Sequence, residues 1–338
     1  MRLGRFEIVP HGRPLVIAEC GINHQGNPHI AMTMIEAAAD AGADIVKTQL
    51  HMVDKEMLTN GPTAGYIKGD FADVLRKTSL PMECYEDLKD CAEANGMMFL
   101  CTPFSREAAD FLDELGVQAF KIGSGECSNG PLVQHIASKG KPVLLSTGMT
   151  TMNQIKITLD AVGTNVRNFI LMNCTSVYPC PDSEIRLRRI TGLYRRFGLP
   201  VGQSDHGVGI VTALAAVAYK AVVIEKHFTL DKTAWGPDQA ASIEPNELKA
   251  LVEGVRRIWH ASGYYDELAV GEPEVAAMAN ESIVTIKPIQ TGEILGDNNL
   301  WVLRPGTGIP AAKLYEYFGR RARVDIPARV LLREEWLA

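Results

Sequence analysis

Residues 97–126 read MMFLCTPFSREAADFLDELGVQAFKIGSGE. A continuous apolar run from Met97 to Phe104 is followed by SREAADFLDELG (105–116), whose apolar residues recur at helical spacing. A second apolar run, AFKIGSGE, starts at Ala119. Apolar runs without polar alternation predict strands buried on both faces, and an amphipathic segment joining two of them predicts a parallel pair covered by a helix. The unit recurs in both directions along the chain. LVIAEC from Leu15 and ADIVKTQL from Ala43 precede it, and PVLLSTGM from Pro142, NFILMNCTS from Asn168, PVGQSDH from Pro200 and VVIEKHFTL from Val222 follow it. HIAMTMIEAAADAG, GPLVQHIASKG and EIRLRRITGLYRRFG carry helical spacing between them. Eight such strands over roughly 250 residues predict an α/β fold, a (β/α)8 barrel of the TIM type. The competing architecture, a doubly wound open sheet, lacks its usual mark, because no glycine-rich dinucleotide fingerprint follows the first strand.

The pattern changes near Gly263. Residues 1–262 are assigned to the barrel, 263–280 to a connector and 281–338 to a small C-terminal domain rich in turn signals. A module of about 60 residues is near the lower limit for folding alone, so packing on another surface is expected. The 338 residues are 46% hydrophobic and 22% charged, which excludes disordered and low-complexity classes. A net charge of −6 gives no basic surplus for nucleic acid, and eight Lys and Arg against seven Asp and Glu from Asn280 onward make the tail no basic arm. No apolar run reaches membrane-spanning length, and the start lacks a signal-peptide core, so a cytoplasmic protein is expected. Seven cysteines without a CxxC pair argue against a disulfide framework.

Nearly every predicted strand ends in polar or ionisable residues: Glu19, Lys47 and Gln49, Thr102, Lys121 and Ser124, Thr147, Ser176, Asp205 with His206, and Lys226 with His227. In a closed barrel these ends converge on the face that carries active sites. His206 and His227 end adjacent strands, and two neutral imidazoles with open positions suit Mn²⁺, Fe²⁺, Co²⁺ or Zn²⁺; hydrogen-bonded strand-end histidines are the plainer alternative. His24 is explained by loop polarity alone. Lys47, Lys121 and Lys226 need anionic partners if buried. Three readings stay open: ion pairs with Glu19, Glu126 or Glu225; an anion cradle of Lys121 with Thr102 and Ser124; or a Schiff-base lysine. Cys20, Cys101, Cys127 and Cys174 read as small core residues. Arg188 with Arg189, and Arg320, Arg321 and Arg323, read as solvated faces.

Taken together, IAECGINHQG (17–26), GADIVKTQLHMVDKEM (42–57), FLCTPFS (99–105), FKIGSGE (120–126), LLSTGM (144–149), CTSVYP (174–179), GQSDH (202–206), IEKHFTLD (224–231) and GPD (236–238) resemble the sialic acid (N-acetylneuraminate) synthase family. SIVTIKPIQTGEILGDNNLWVLRPGTGI (282–309) resembles the antifreeze-like (SAF) domain that ends members of that family. The resemblance implies a metal-dependent barrel enzyme that condenses phosphoenolpyruvate with an N-acylated amino sugar in its aldehyde form. The product is a nine-carbon 2-keto acid, and phosphate is released. It implies a divalent cofactor, Mn²⁺ with Mg²⁺ or Co²⁺ as alternatives, on His206 and His227. A phosphoenolpyruvate cradle is implied from Thr102, Lys121, Ser124, Ser176 and Ser204, with Lys121 also acting in catalysis. Glu19, Lys47, Gln49, Glu126, Tyr178 and Asp238 are implied to face the sugar, and Glu19 or Glu126 is expected to manage protons. Arg304 is implied to reach a neighbouring subunit's site in a domain-swapped homodimer.

Departures bear on the acceptor. In the loop after the second strand, where some relatives place a sugar-facing asparagine, Tyr66 lies nearby and no equivalent asparagine is found; Gly207 stands where threonine is common, Lys220 replaces a frequent glycine and Gln239 a frequent histidine. Two other readings therefore stand beside the main one. The first is the same condensation on another acceptor, giving legionaminic- or pseudaminic-type acids or using another aldose. The second is a non-catalytic sugar- or metal-binding barrel.

Overall fold

A computed structural model of the chain describes every residue except Pro10, Thr59, Asn60, Ala64, Tyr66, Lys68, Tyr264 and Tyr265. A short antiparallel hairpin, β1 (Arg2–Leu3) and β2 (Phe6–Glu7), opens the chain. Eight parallel strands follow: β3 (Leu15–Gly21), β4 (Ile45–Leu50), β5 (Met98–Pro103), β6 (Phe120–Ile122), β7 (Val143–Ser146), β8 (Phe169–Asn173), β9 (Val201–Asp205) and β10 (Val223–His227). They correspond one for one to the eight apolar runs. β10 pairs with β3 from Val223↔Leu15 to His227↔Glu19, and this pairing closes the barrel and excludes the open sheet.

The helices lie where the spacing places them, and local chemistry starts them. Ser105 accepts from the Ala108 amide at 3.1 Å to cap Arg106–Glu114, and Thr151 with Gln154 forms a reciprocal capping box on Met152–Val162. The segment EIRLRRITGLYRRFG is helical over Arg188–Phe197 and ends on Gly198 at φ 68°, a left-handed position that glycine adopts without strain.

Side chains alternate along a strand, so each barrel strand serves two environments. Val16, Ala18, Cys20, Val46, Phe99, Cys101, Phe120, Leu145 and Leu171 pack against the helices. Leu15, Ile17, Ile45, Met98, Leu100, Leu144, Ile170 and Val223 fill the interior, where Leu3 and Ile8 from the N-terminal segment pack against them. Two-residue strands carry no periodicity, so this hairpin is not legible in the sequence. Above this apolar filling the same inward phase reaches Glu19, Lys47, Gln49, Thr102, Lys121, Ser146, Ser204, Glu225 and His227.

Residues Met1–Gly263 form one compact unit and Tyr264–Ala338 a second. In the second, β11 (Ser282–Thr285) pairs antiparallel with β12 (Leu300–Leu303) over a core that includes Ile283, Ile289, Leu295, Leu300, Leu314 and Ile326. The stretch read as a connector carries a helix, Glu272–Ala279, with a proline in its first turn. Among the described residues no helix is long and apolar enough to cross a membrane.

Candidate active site

At the C-terminal ends of the barrel strands lies a cavity of about 400 Å³. Its floor is a buried network of charge. Lys47 Nζ lies 2.9 Å from Glu19 Oε1, donates to Thr102 Oγ1 at 3.1 Å and lies 4.0 Å from Glu225 Oε1. Lys121 Nζ donates to Ser146 Oγ at 2.7 Å and lies 3.6 Å from the same Glu225 oxygen, which also accepts from Ser204 Oγ at 2.8 Å. Two ammonium groups thus share two carboxylates, which is what allows four charges to be buried together. Burial pushes Lys47 down, but Glu19 and Glu225 outweigh it and hold the ammonium above its ordinary value. Burial pushes Lys121 below its ordinary value against the pull of Glu225. For Glu225, burial is outweighed by Lys121 and Lys47, and its carboxyl lies below the usual range. Glu19 Oε2 and Glu225 Oε2 are buried without a partner among the described residues, so each carboxylate keeps one oxygen for a ligand.

Beside the lysines, hydroxyls converge. The Gly148 amide donates to Ser124 Oγ at 3.2 Å, and Ser176 Oγ is buried without a partner among the described residues. A side-chain carbon at residue 148 would lie 2.5 Å from Ser176 Oγ and 2.6 Å from Ser124 Oγ, so only glycine lets these groups meet. Lysine ammonium, hydroxyls and a backbone amide make a set of donors suited to phosphate or carboxylate.

Across the cavity the rings of His206 and His227 lie 5.4 Å apart. His206 Nδ1 donates to the Thr175 carbonyl at 2.8 Å, which leaves the Nε2 lone pair facing the cavity, where Tyr178 OH lies at 3.1 Å. Burial, with the charge of His206 and Lys47, holds His227 well below its ordinary value and therefore neutral. Its Nδ1 is buried without a hydrogen bond among the described residues, 3.8 Å from Asp238 Oδ2. For His206, burial is outweighed by Cys174 and the Thr175 carbonyl, which hold this imidazole above its ordinary value. His206, oriented by that carbonyl, and the neutral His227, with its unpartnered buried nitrogen, are the two nitrogen donors that would hold a divalent ion, His206 giving up its proton to do so. Burial, with Glu19 nearby, raises the Asp238 carboxyl to about 6, and burial raises Glu126 to about 7.

The cavity collects Glu19, Lys47, Gln49, Thr102, Lys121, Ser124, Glu126, Ser176, Tyr178, Ser204, His206, His227 and Asp238 from six strands and from the segments that follow β6, β8, β9 and β10. Arg304 is exposed on the second unit. Tyr66 lies outside the described residues. Several readings of the sequence change here. Lys226 ends its strand in the outward phase, donating to Asp205 Oδ1 at 2.7 Å and to the Gly207 carbonyl, so this lysine and Asp205 form a buried ion pair behind the barrel wall rather than part of the cavity. Thr147 also turns outward, donating to the Met172 carbonyl at 2.9 Å. Arg189 is no solvated residue: its guanidinium is half-buried and donates to Thr147 Oγ1 at 2.7 Å and to the Thr147 and Thr150 carbonyls at 3.0 Å, clamping the loop that carries Gly148. Cys174 lines the cavity, whereas Cys20 and Cys101 pack outward, and burial pushes the Cys101 thiol up to about 12. His24 is buried and held near 4 by burial, so loop polarity does not describe it. Lys220 adopts φ 67°, the left-handed conformation that explains why glycine suits that position.

Ser146, His51, Glu56 and Phe104, none of them a candidate from the sequence, also line the cavity, and so does Glu225, which the sequence offers only as an ion-pair partner. The period-two rule could have found most of them. Glu225 precedes His227 by two residues, His51 follows Gln49 by two, and Ser146 follows the interior Leu144 by two.

Residues 34–267 match the NeuB family and residues 280–335 match the SAF domain. The N,N'-diacetyllegionaminic acid synthase of Campylobacter jejuni is 39% identical, covering 95% of this chain and 99% of its own length. The N-acetylneuraminate-9-phosphate synthase of Homo sapiens is 34% identical, covering 95% and 91%. A crystal structure of N-acetylneuraminic acid synthetase from Leptospira borgpetersenii, in complex with citrate, superposes with a TM-score of 0.74 at 31% identity, covering 81% of this chain and 94% of that one. The chain thus belongs to the NeuB family of sialic, legionaminic and pseudaminic acid synthases and carries a C-terminal SAF domain.

Proposed function

We propose that this protein condenses phosphoenolpyruvate with the open-chain aldehyde of an N-acylated amino sugar, forming a nine-carbon 2-keto acid and releasing phosphate. The observation that carries the reading is the pairing, within one cavity, of an anion cradle around Lys121 with the imidazoles of His206 and His227. Lys121, Ser124, Ser176, Ser204 and Thr102 hold the phosphate and carboxylate of phosphoenolpyruvate and neutralise charge as phosphate departs. Lys47, Gln49, Tyr178 and Asp238 orient the sugar. A divalent ion on His206 and His227, Mn²⁺ before Mg²⁺ or Co²⁺, supplies Lewis acidity toward the aldehyde oxygen when bound. C3 of phosphoenolpyruvate attacks the aldehyde carbon and water adds at C2; the C2–O bond to phosphate then breaks. Glu126, raised to about 7, is able to take and return protons near neutral pH, and Glu19, which burial also raises, is the second carboxylate for that role. Arg304 completes the site of a neighbouring subunit in a swapped homodimer. The reaction is assigned to the cytoplasm, where phosphoenolpyruvate is made.

For the acceptor, a diacetamido sugar is the second reading, favoured by the 39% identity with the legionaminic acid synthase. Phosphate release from phosphoenolpyruvate with Mn²⁺ and a panel of acceptors, N-acetylmannosamine and a 2,4-diacetamido hexose among them, is the test. Bridging-¹⁸O phosphoenolpyruvate should deliver its label to phosphate. No phosphate with any acceptor, or full turnover in Lys121→Ala and His206→Ala, would favour a non-catalytic sugar-binding barrel.

A further inference from the structure

Beyond the groups assigned above, a second polar chain runs away from Glu19. Glu19 Oε1 accepts from Gln49 Nε2 at 2.7 Å, Gln49 Oε1 lies 2.9 Å from His51 Nε2, and His51 Nδ1 lies 2.9 Å from Glu56 Oε1. Glu19 is buried, the His51 and Glu56 side chains are only 4% and 5% exposed, and Gln49 between them is half-buried. The His51 ring stacks on Phe104 with centroids 4.2 Å apart and planes 16° from parallel.

The donors can be assigned without seeing hydrogens. Lys47 is a donor only, and it binds the same Glu19 oxygen as Gln49, so that oxygen carries no proton. Gln49 must therefore turn its NH₂ toward Glu19 and its carbonyl oxygen toward His51. His51 must in turn carry a proton on Nε2, and a further proton lies between Nδ1 and Glu56. Reversing any link would set two acceptors face to face in a buried site, at a cost of about 1–3 kcal/mol.

We infer that His51 and Glu56 are positioning residues that lock the Gln49 amide in the orientation that donates to Glu19, and so hold the Glu19 carboxylate toward the cavity. The inference deepens the proposed condensation and rests on Glu19 serving it. Glu56 comes from a short helix, Val53–Glu56, in the excursion after β4, so the orientation of a barrel carboxylate is set by a loop. His51→Phe keeps the stacking on Phe104 and removes both hydrogen bonds. It should lower kcat about 10- to 100-fold, the range for losing a partner that orients a functional group, with KM for phosphoenolpyruvate within twofold. Glu56→Ala should act alike. Glu56→Gln should retain most of the activity, since its NH₂ can donate to Nδ1 and preserve the Nε2–H tautomer.

The tautomer can be read directly from ¹⁵N-labelled histidine in the wild-type protein, whether or not an acceptor is known. A protonated Nε2 on His51 is expected. An unprotonated Nε2, wild-type kcat in a folded His51→Phe, or equal damage from Glu56→Gln and Glu56→Ala would overturn the inference. A wild type that releases no phosphate would count against the condensation instead, while the tautomer would still judge the hydrogen-bond chain.

Discussion

Glu126→Gln separates the cost of burying a carboxyl from its use. Burial raises this group to about 7 from an ordinary 4.5, with Glu56 adding to the rise and Lys121 opposing it. Below about pH 4.5 the carboxyl is protonated in both folded and unfolded chains, so the substitution should change stability little. Between 4.5 and 7 the unfolded chain ionises while the folded one holds its proton, and wild-type stability falls as pH rises. Above pH 7 the penalty is complete, with a ceiling of about 3 kcal/mol at 1.36 kcal/mol per pH unit. Glutamine carries no such penalty, so the variant should gain stability over the wild type across that window and keep a constant advantage above it. Denaturant unfolding, followed by far-ultraviolet circular dichroism to report the barrel helices, measures the difference at several pH values. Turnover should fall at every pH if Glu126 moves a proton. A stability difference that does not vary between pH 4.5 and 8 would refute the burial argument, and unchanged turnover would remove Glu126 from the proton steps.

Three further outcomes are expected. Gly148→Ala should keep the circular dichroism spectrum and raise KM for phosphoenolpyruvate at least tenfold, because its methyl group occupies the space where Ser124 and Ser176 hydroxyls meet. Arg189→Met should destabilise the barrel by about 3 kcal/mol, the scale for losing several hydrogen bonds to one charged group, and should weaken phosphoenolpyruvate binding by freeing the Thr147–Thr150 loop. Lys121→Ala and Arg304→Ala should each be inactive alone, yet regain activity when mixed under subunit exchange, as a swapped site requires. Failure of the mixture to recover activity would remove the trans role of Arg304.

The sequence by itself determined the eight strands, the helices between them and the polar character of the strand ends, because these are local: apolar runs mark buried strands, and helical spacing marks helices. It also brought Glu19, Lys47, Lys121, His206 and His227 forward as candidates, through their positions at those ends. It did not decide which end residues meet. Lys121 and Lys226 read alike in the sequence, yet one faces the cavity beside Ser146 and the other lies behind the wall on Asp205. Arg189 reads as a surface residue of a basic helix, yet it clamps the Gly148 loop from outside the barrel. The difference is one of phase and register. Alternation along a strand is written locally, but which of its two faces is inside depends on closure between β10 and β3 and on the helices that claim the other face. Only the tertiary structure supplies those long-range pairings, and with them the sharing of Glu225 between two lysines and the hydrogen-bond chain from Glu56 to Glu19.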